Sequence, residues 1–342
     1  MSLRRQTALP LALLAAGAAL LLARRRHRIA LAGKVALITG GSRGLGLLIA
    51  RELGRRGVRP VLCARDEQEL ERARASLAED GVVAITLPVD VTDEDGVRTL
   101  VADVEENIGP IDVLVNNAGI IQVGPAEAMT VEDYRRAMDT MFWGAVYGTD
   151  AVLPSMRARR RGVVVNVTSI GAAVAMPHLA PYSAAKFALR GYSEAMSAES
   201  AKHGITVITV VPGLMRTGSF GHALVRGKRY AEASLFSLAA SLPLLTVSAE
   251  SAARRIVHAI ERGERFVLIG MPARLLRLVH ALFPGALTAL LGALNGLLPG
   301  GEGDEPQAGI ALPAELYRRG LARSILTTLG ERAARRFNEE PA

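Results

Sequence analysis

Residues 35–46 read VALITGGSRGLG, an apolar run that leads into a loop with glycines at positions 40, 44 and 46. The apolar run predicts a buried strand, and the helical periodicity of residues 47–56 predicts a helix directly after the loop. Glycines lack a Cβ atom, so the backbone can approach a pyrophosphate at the helix N-terminus, where the helix dipole favours negative charge. A tight turn is the alternative for a glycine triad alone, but its place between a strand and a helix favours a phosphate-binding loop.

Outward from this loop, strand-like and helix-like segments alternate along the chain. Further strands are predicted at residues 61–63, 82–88, 113–115, 163–167, 205–211 and 265–269, and helices at 66–79, 93–108, 131–159, 182–202 and 249–262. Continuous β-branched runs such as 163–167 indicate strands that are buried on both faces. We therefore predict an α/β fold with a doubly wound, Rossmann-like parallel sheet of about seven strands and right-handed crossovers.

Tyr182 and Lys186 are four residues apart in a predicted helix, and Ser169 lies thirteen residues before Tyr182. The spacing of four places both side chains on one face of the helix. There the Lys186 ammonium is expected to lower the pKa of the Tyr182 phenol towards a value useful for proton transfer. A Tyr/Lys pair alone occurs by chance on many exposed helices, but together with the glycine loop it indicates hydride chemistry on a carbonyl or an alcohol.

Two more motifs follow predicted strands, Asn116-Asn117-Ala118-Gly119 after the fourth and Pro212-Gly213 with Thr217 after the sixth. Together with the glycine loop and the Ser/Tyr/Lys set, these motifs resemble the short-chain dehydrogenase/reductase family. The resemblance extends over residues 34–269 and is specific, because five separated motifs occur in the family's order and spacing.

The resemblance implies a role for each residue of the Ser/Tyr/Lys set. Tyr182 is expected to act as the general acid in the reductive direction, with Ser169 holding the carbonyl oxygen and Thr168 as the alternative to Ser169. Lys186 is expected to lower the pKa of Tyr182 and to bind the nicotinamide ribose. No metal site is expected, and the implied cofactor contacts are Gly40, Ser42, Arg43, Gly44, Leu45, Gly46, Arg65, Asp90, Val91, Asn117, Ala118, Gly119, Tyr182, Lys186, Pro212, Gly213 and Thr217.

The charges around the predicted adenosine site favour NADP(H) over NAD. Relatives that select NAD carry an acid at the end of the second strand, where this chain has Ala64 followed by Arg65. Arg43 lies inside the glycine loop, so two cations and no carboxylate are expected around a 2′-phosphate. Asp66 would come closer if the alignment shifted slightly, and Asp90 is expected either to contact the adenine ring or to serve as a turn residue.

Met141 is a departure from the family pattern that affects the chemistry. Many relatives have an asparagine at this place in the long helix after the fourth strand, where its main chain holds a proton-relay water. A methionine side chain cannot replace the amide, although its backbone carbonyl could still bind water. The alternative to an enzyme is therefore an NADP-binding membrane protein with weak or no turnover that acts as a sensor or a scaffold.

The net charge of +8 is concentrated at the N-terminus, because residues 1–33 contain six arginines and no acid. The charges of the remaining chain are interspersed and nearly balanced, which argues against a nucleic-acid partner. The single cysteine, Cys63, excludes an intramolecular disulfide, so nothing requires an oxidising compartment.

Residues 7–23 form an uncharged apolar run of seventeen residues, which as a helix would span roughly 26 Å. A cleaved signal peptide is the alternative, but the arginine-rich stretch 24–28 would hinder cleavage and translocation. We predict an uncleaved, single-pass membrane anchor, and the excess of arginines after it places the catalytic domain in the cytoplasm. The predicted domains are the anchor with its basic flank (1–28), a catalytic domain (29–270) and a helical extension (271–342).

The segments around the predicted active site are apolar. The loop 170–181 has His178 as its only ionisable residue, and the predicted lid 214–246 is rich in large apolar side chains, namely Leu235, Phe236, Leu238, Leu242, Leu244 and Leu245. These side chains favour a lipophilic carbonyl or alcohol as the substrate, and simple packing on the core is the alternative. A 3-ketoacyl-type reductase is a narrower reading of the same chemistry.

The leucine-rich segment 271–298 is interrupted at Phe283-Pro284-Gly285, which predicts two short helices that form an interfacial amphipathic hairpin. An oligomer contact or a core helix is the alternative, so a homo-oligomer is left open. Residues 313–337 predict a polar amphipathic helix of unassigned use.

Overall fold

The computed structural model describes residues 28–217, 219–241, 246–300, 307–308 and 336–339. The predicted anchor at 7–23 and nearly all of the predicted helix at 313–337 lie outside the described residues, as do Leu242, Leu244 and Leu245 of the predicted lid.

Strands and helices alternate through most of the described chain. The strands are β1 (Val35–Thr39), β2 (Arg59–Ala64), β3 (Ile85–Pro88), β4 (Ile111–Asn116), β5 (Gln122–Val123), β6 (Gly162–Val167), β7 (Ile205–Pro212), β8 (Leu214–Arg216), β9 (Leu224–Val225), β10 (Thr246–Ser248), β11 (Phe266–Ile269) and β12 (Gln307–Ala308). The α-helices are α1 (Gly44–Gly54), α2 (Glu67–Glu79), α3 (Glu94–Asn107), α4 (Val131–Met138), α5 (Gly144–Arg159), α6 (Ala180–Glu199), α7 (Arg229–Ser241), α8 (Ala249–Arg262), α9 (Met271–Leu282) and α10 (Pro284–Asn295).

Seven strands form one parallel sheet in the order β11-β7-β6-β4-β1-β2-β3. Successive residues of β1 contribute to two apolar clusters, Ala36 and Ile38 to one and Val35 and Leu37 to the other. Side chains of α1, α2 and α8 complete the first cluster, and side chains of α3, α5 and α6 complete the second. The prediction of a doubly wound, Rossmann-like sheet is therefore confirmed, because both faces of the sheet are covered by helices.

The strand order reverses between β1 and β4, which lie side by side although they are separated in sequence by β2 and β3. In open parallel sheets, ligands bind outside the carboxyl ends of the strands at such a switch point. The glycine loop follows β1 and the Asn116–Gly119 motif follows β4, so the fold brings these two predicted motifs to one place.

The helix predicted at 131–159 is broken in its middle. A π-helical turn, Asp139–Trp143, separates α4 from α5, and the Gly144 amide closes it by donating to the Asp139 carbonyl. Short π-helical insertions within α-helices are frequent at functional sites. Met141, the departure noted above, lies in the centre of this turn.

The two helices after β11 expose much of their apolar surface. Leu275 on α9 is 63% exposed and Leu297, just after α10, is 81% exposed. Within the described residues, every helix taken singly is too short or too polar to cross a membrane, whereas α9 and α10 together have sufficient length and hydropathy but are bent by 116°.

Candidate active site

Where β1 leads into α1, Gly40, Gly44 and Gly46 occupy positions that a residue with a side chain could not take without strain. Gly40 has a φ of +61°, and a Cβ atom there would lie 2.9 Å from the Ala118 Cα. A Cβ atom on Gly46 would overlap the carbonyl oxygen of Gly40. The backbone is thus folded back on itself at the start of α1, as expected for a loop that holds phosphate groups against a helix N-terminus.

Asn117 holds this loop in place. Its side-chain amide donates to the carbonyls of Thr39 (3.2 Å) and Gly40 (3.0 Å). The Thr39 hydroxyl in turn accepts hydrogen bonds from the backbone amides of Asn117 and Ala118. Asn117 therefore supports the shape of the cofactor loop by bonding to the backbone of that loop.

Ser169 and Tyr182 lie side by side although they are on separate elements, because a Cβ atom on Gly171 would meet both the Tyr182 ring (3.2 Å) and the Ser169 hydroxyl oxygen (3.5 Å). Ser169 follows β6 and accepts a hydrogen bond from the Gly171 amide at 3.1 Å, which orients its side chain. The hydroxyl of Thr168 instead donates to the Val210 carbonyl at 2.6 Å and is buried. The structure therefore favours Ser169 over Thr168 as the hydroxyl partner of Tyr182.

Lys186 lies one turn after Tyr182 on α6 and is only 4% exposed. Its Nζ atom donates to the Val167 carbonyl at 2.9 Å, and no carboxylate of the described residues forms an ion pair with it. Burial without a counter-charge lowers the pKa of Lys186 to about 8. Gly119 lies beside the same ammonium, because a Cβ atom there would be 3.7 Å from Nζ.

We predicted that Lys186 lowers the pKa of Tyr182, but in the structure the pKa of Tyr182 is raised. Burial raises the pKa of Tyr182, and the hydrogen bond from Ser169 only partly opposes that effect. The Lys186 Nζ lies 5.9 Å from the centroid of the Tyr182 ring and is bonded to a backbone carbonyl. Desolvation of the phenol therefore outweighs the influence of the ammonium.

The expectation that no carboxylate lies near the two predicted phosphate-binding cations is wrong. Arg43 donates to Glu69 at 2.7 Å, and Ser42 donates to the same carboxylate at 3.0 Å. Arg65 is exposed and lies 3.9 Å from Asp90. Sequence distance hid these contacts, because Glu69 lies on α2 and Asp90 lies after β3.

Asp90 serves as a turn residue. Its carboxylate accepts from both the amide and the hydroxyl of Thr92, each at 2.9 Å. Asp66 caps the N-terminus of α2 by accepting from the Glu69 amide at 2.8 Å. Val91 is buried against α5, where a Cβ atom on Gly144 would be 3.0 Å from the Val91 carbonyl oxygen.

The motif Pro212-Gly213 with Thr217 lies at the carboxyl end of β7. The Gly213 amide, directly after Pro212, donates to the Ile269 carbonyl of the neighbouring strand at 2.9 Å. Thr217 is buried and donates its hydroxyl hydrogen to Ser219 at 2.8 Å. Leu45 is also buried and packs in the core beneath the glycine loop.

Met141 packs in a small apolar cluster beside the catalytic side chains. It is 1% exposed and packs with Ala137 and Ala185, and Tyr182 packs against the same cluster. The Met141 thioether thus makes apolar contacts at the place where many relatives have the amide of an asparagine.

Sequence reasoning missed two groups of residues around the site. His178 and Glu232 form a buried pair at 2.8 Å that ties the loop before α6 to α7. Residues 336–339 lie against the glycine loop, although almost 300 residues separate the two segments. His178 was noticed as the single ionisable residue of its loop, but no local pattern links either group to its partner.

Comparison with known proteins places these motifs in context. Residues 34–224 match the model of the short chain dehydrogenase family. A putative ketoacyl reductase from Streptomyces coelicolor is 37% identical over 265 residues, which cover 77% of this chain and 95% of that protein.

Two solved structures with bound cofactors are similar to the described fold. The actinorhodin polyketide ketoreductase with NADPH is 32% identical with a TM-score of 0.63, and the match covers 70% of this chain and 97% of that chain. A gluconate 5-dehydrogenase from Burkholderia cenocepacia, in complex with NADP and tartrate, is 27% identical with a TM-score of 0.63 and covers 74% of this chain and 98% of that chain.

We predict that Gly46→Ala destabilises the protein, because the new methyl group would overlap the Gly40 carbonyl oxygen. The loss in the free energy of unfolding should be about 1–3 kcal/mol, as for other overpacked sites. Gly191→Ala is the matched control, since a Cβ atom at this exposed position of α6 has no neighbour within 4 Å. It should raise stability by about 0.5–1 kcal/mol. Equal thermal unfolding temperatures for both variants would contradict the prediction.

Proposed function

The chain belongs to the short-chain dehydrogenase family, and from this we propose that it is an NADP(H)-dependent oxidoreductase that interconverts a carbonyl and an alcohol on a lipophilic substrate. The observation that carries the proposal is the cluster of Ser169, Tyr182 and Lys186 beside the glycine loop. Burying Lys186 without a carboxylate partner costs folding free energy, which a purely structural role does not explain. Groups whose pKa is shifted by burial, as that of Lys186 is, concentrate at functional sites.

The restricted glycines Gly40, Gly44 and Gly46 fit a dinucleotide, whose nicotinamide supplies or accepts a hydride when it is bound. In the reductive direction, the Tyr182 hydroxyl gives its proton to the carbonyl oxygen of the substrate. Burial raises the pKa of Tyr182, so the phenol holds its proton at neutral pH until a substrate carbonyl oxygen accepts it. Ser169 orients the same carbonyl oxygen by hydrogen bonding, and the Lys186 ammonium stabilises the tyrosinate that remains.

NADP(H) is the cofactor in this proposal. Arg43 and Arg65 lie at the two places from which a cation can reach a 2′-phosphate, one in the glycine loop and one after β2. Their present carboxylate neighbours are Glu69 and Asp90, and neither acid lies at the end of β2, where NAD-selecting relatives carry one. Two structural neighbours are complexes with NADPH and NADP, which supports this choice.

The lipophilic substrate is supported by the apolar surroundings of α7. Ala223 and Val225 pack against Val123, with Phe236 of α7 joining this cluster, while Leu235 remains 42% exposed. Phe236 thus packs on the body of the protein, whereas Leu235 is free to meet a substrate. The similarity to a putative ketoacyl reductase favours 3-ketoacyl compounds among the lipophilic carbonyls to be tested.

Membrane attachment is part of the proposal. The uncharged run at 7–23 supports an anchor, with the catalytic domain on the cytoplasmic side. The exposed apolar faces of α9 and α10 support a second contact with the lipid surface, because Arg274, Arg277 and His280 lie among the exposed leucines of α9.

A second candidate function, a cofactor-binding sensor or scaffold with little turnover, is favoured by Met141 alone. Its apolar packing takes the place of the amide that accompanies a proton-relay water in many relatives. Turnover decides between the two functions, since both require NADP(H) binding.

We predict that Tyr182→Phe lowers the rate of NADPH-dependent ketone reduction by roughly 10²–10⁴-fold, the usual contribution of a positioned general acid. The assay follows NADPH consumption with a panel of hydrophobic ketones and 3-ketoacyl thioesters. Tyr192→Phe is the matched control, because this tyrosine lies on the same helix but packs against Phe142. If NADPH binds and no substrate of the panel is reduced, the proposal of an enzyme fails and that of a sensor or scaffold takes its place.

We predict that Arg65→Asp shifts the cofactor preference towards NAD, because the change removes a cation and adds repulsion towards a 2′-phosphate. Arg65 is largely exposed, so the shift should lie near 1 kcal/mol, the lower end of the range for charged hydrogen bonds. Arg74→Asp on the exposed side of α2 is the control and should leave the ratio unchanged. Equal NADP/NAD ratios of kcat/KM in Arg65→Asp and the parent would show that Arg65 does not contact the phosphate.

We predict that the full chain stays with membranes through an alkaline carbonate wash, since a continuous apolar helix inserts almost irreversibly. Deleting residues 1–28 should leave only the reversible contact of α9 and α10, so that the wash then releases the protein. Leu275→Glu should weaken this residual binding in the deletion variant and have no effect in the full chain. A mature N-terminus near Ala23, or a full chain found in the wash supernatant, would contradict the anchor.

A further inference from the structure

Residues 336–339, which we call the C-terminal segment, lie on the glycine loop. The Gly44 amide, at the first residue of α1, donates to the Phe337 carbonyl at 2.9 Å. The side-chain amide of Asn338 donates to the carbonyls of Ser42 (2.8 Å) and Glu69 (3.0 Å). The segment therefore bonds directly to the backbone of the loop that is predicted to hold the cofactor phosphates.

The docked segment is also held from the side of the protein core. Phe337 is 2% exposed and belongs to the main apolar cluster beneath α1 and α8. Arg336 pairs with Glu250 on α8 at 2.8 Å, and Arg72 on α2 donates to the Asn338 side-chain oxygen at 3.1 Å. A buried aromatic anchor and bonds to several separate elements make this a specific contact.

The carboxylate of Glu339 lies where the loop would receive an anion. It is buried, and a Cβ atom on Gly44 would overlap its Oε1 atom. Its Oε2 atom lies 3.3 Å from the Arg43 Nε and 3.3 Å from the His222 Nε2. A helix N-terminus with an adjacent arginine is a site for phosphate, and here a carboxyl group of the same chain fills it.

We propose that the C-terminal segment is an intramolecular ligand of the cofactor loop and competes with NADP(H) for it. The inference rests on the proposed function, because it takes the glycine loop as the NADP(H) site. The Gly44 amide and the Arg43 guanidinium cannot serve the segment and the cofactor phosphates at the same time. The segment must therefore leave the loop before the dinucleotide binds.

Competition of this kind reduces the apparent affinity for NADP(H) by the fraction of molecules in which the loop is free. A segment that is docked in roughly nine molecules of ten raises the apparent Kd about tenfold. Weakening the docked state without touching the loop should restore part of that affinity.

The competition should also depend on pH. Burial raises the pKa of Glu339 to about 8, with Arg43 opposing this effect and Glu69 adding to it. Burial and Arg43 lower the pKa of His222, so its imidazole ring is uncharged at neutral pH. The docked carboxyl has a higher pKa than the free one, so docking is strongest below about pH 4.5 and is lost as the pH rises through about 8.

The test is a fluorescence titration of NADPH into the full chain in detergent. Asn338→Ala removes the bond to the loop at Ser42, the bond to α2 at Glu69 and the contact with Arg72, and should lower the Kd for NADPH roughly fivefold. Asn107→Ala, an exposed asparagine at the end of α3, is the matched control and should leave the Kd unchanged. The ratio of the two Kd values should shrink as the pH rises from about 6.5 to about 8.5, and Glu339→Gln should abolish that pH dependence.

Hydrogen exchange of the unmodified full chain gives a second readout that needs no variant. Saturating NADPH should speed exchange in the peptide that contains the C-terminal segment and slow exchange in the glycine loop. Equal Kd values in parent and Asn338→Ala, or slower exchange of the segment with NADPH, would overturn the competition. Absence of NADPH binding in every variant would instead overturn the proposed cofactor, which keeps the two failures distinguishable.

Discussion

The structure depends on the close approach of two backbone segments at the carboxyl edge of the sheet. Gly40 and Gly46 allow the glycine loop to fold back on itself, and Asn117 locks it to the end of β4 with two hydrogen bonds. Because β1 and β4 are neighbours in the sheet, this contact also positions Gly119 beside the Lys186 ammonium. The cofactor loop and the catalytic helix are therefore oriented by one junction.

Desolvation decides the electrostatics of the catalytic side chains. Lys186 and Tyr182 are four residues apart, yet the ammonium is held by the Val167 carbonyl and the phenol lies beside Ser169. Burial consequently pushes both groups towards their uncharged forms, lowering one pKa and raising the other. This arrangement keeps the proton on Tyr182 at neutral pH and makes the ammonium sensitive to any charge that enters the site.

The phosphate side of the site is crowded with carboxylates. Arg43 pairs with Glu69 and lies close to Glu339, so its charge is already compensated in the described structure. A dinucleotide that binds there has to take the place of these carboxyl groups beside Arg43. Affinity for the cofactor is therefore a difference between two bound states of the loop, and the composition of the loop alone does not describe it.

The sequence by itself determined the succession of the seven main strands and the helices between them, the glycine loop and the Ser169, Tyr182 and Lys186 set, because these depend on local periodicity and short spacings. Only the tertiary structure decided which groups surround them. The choice of Ser169 over Thr168 depends on a bond to β7, and the carboxylate of Glu339 reaches the loop from the far end of the chain. Contacts between distant segments arise from packing in three dimensions, and no local pattern along the chain encodes them.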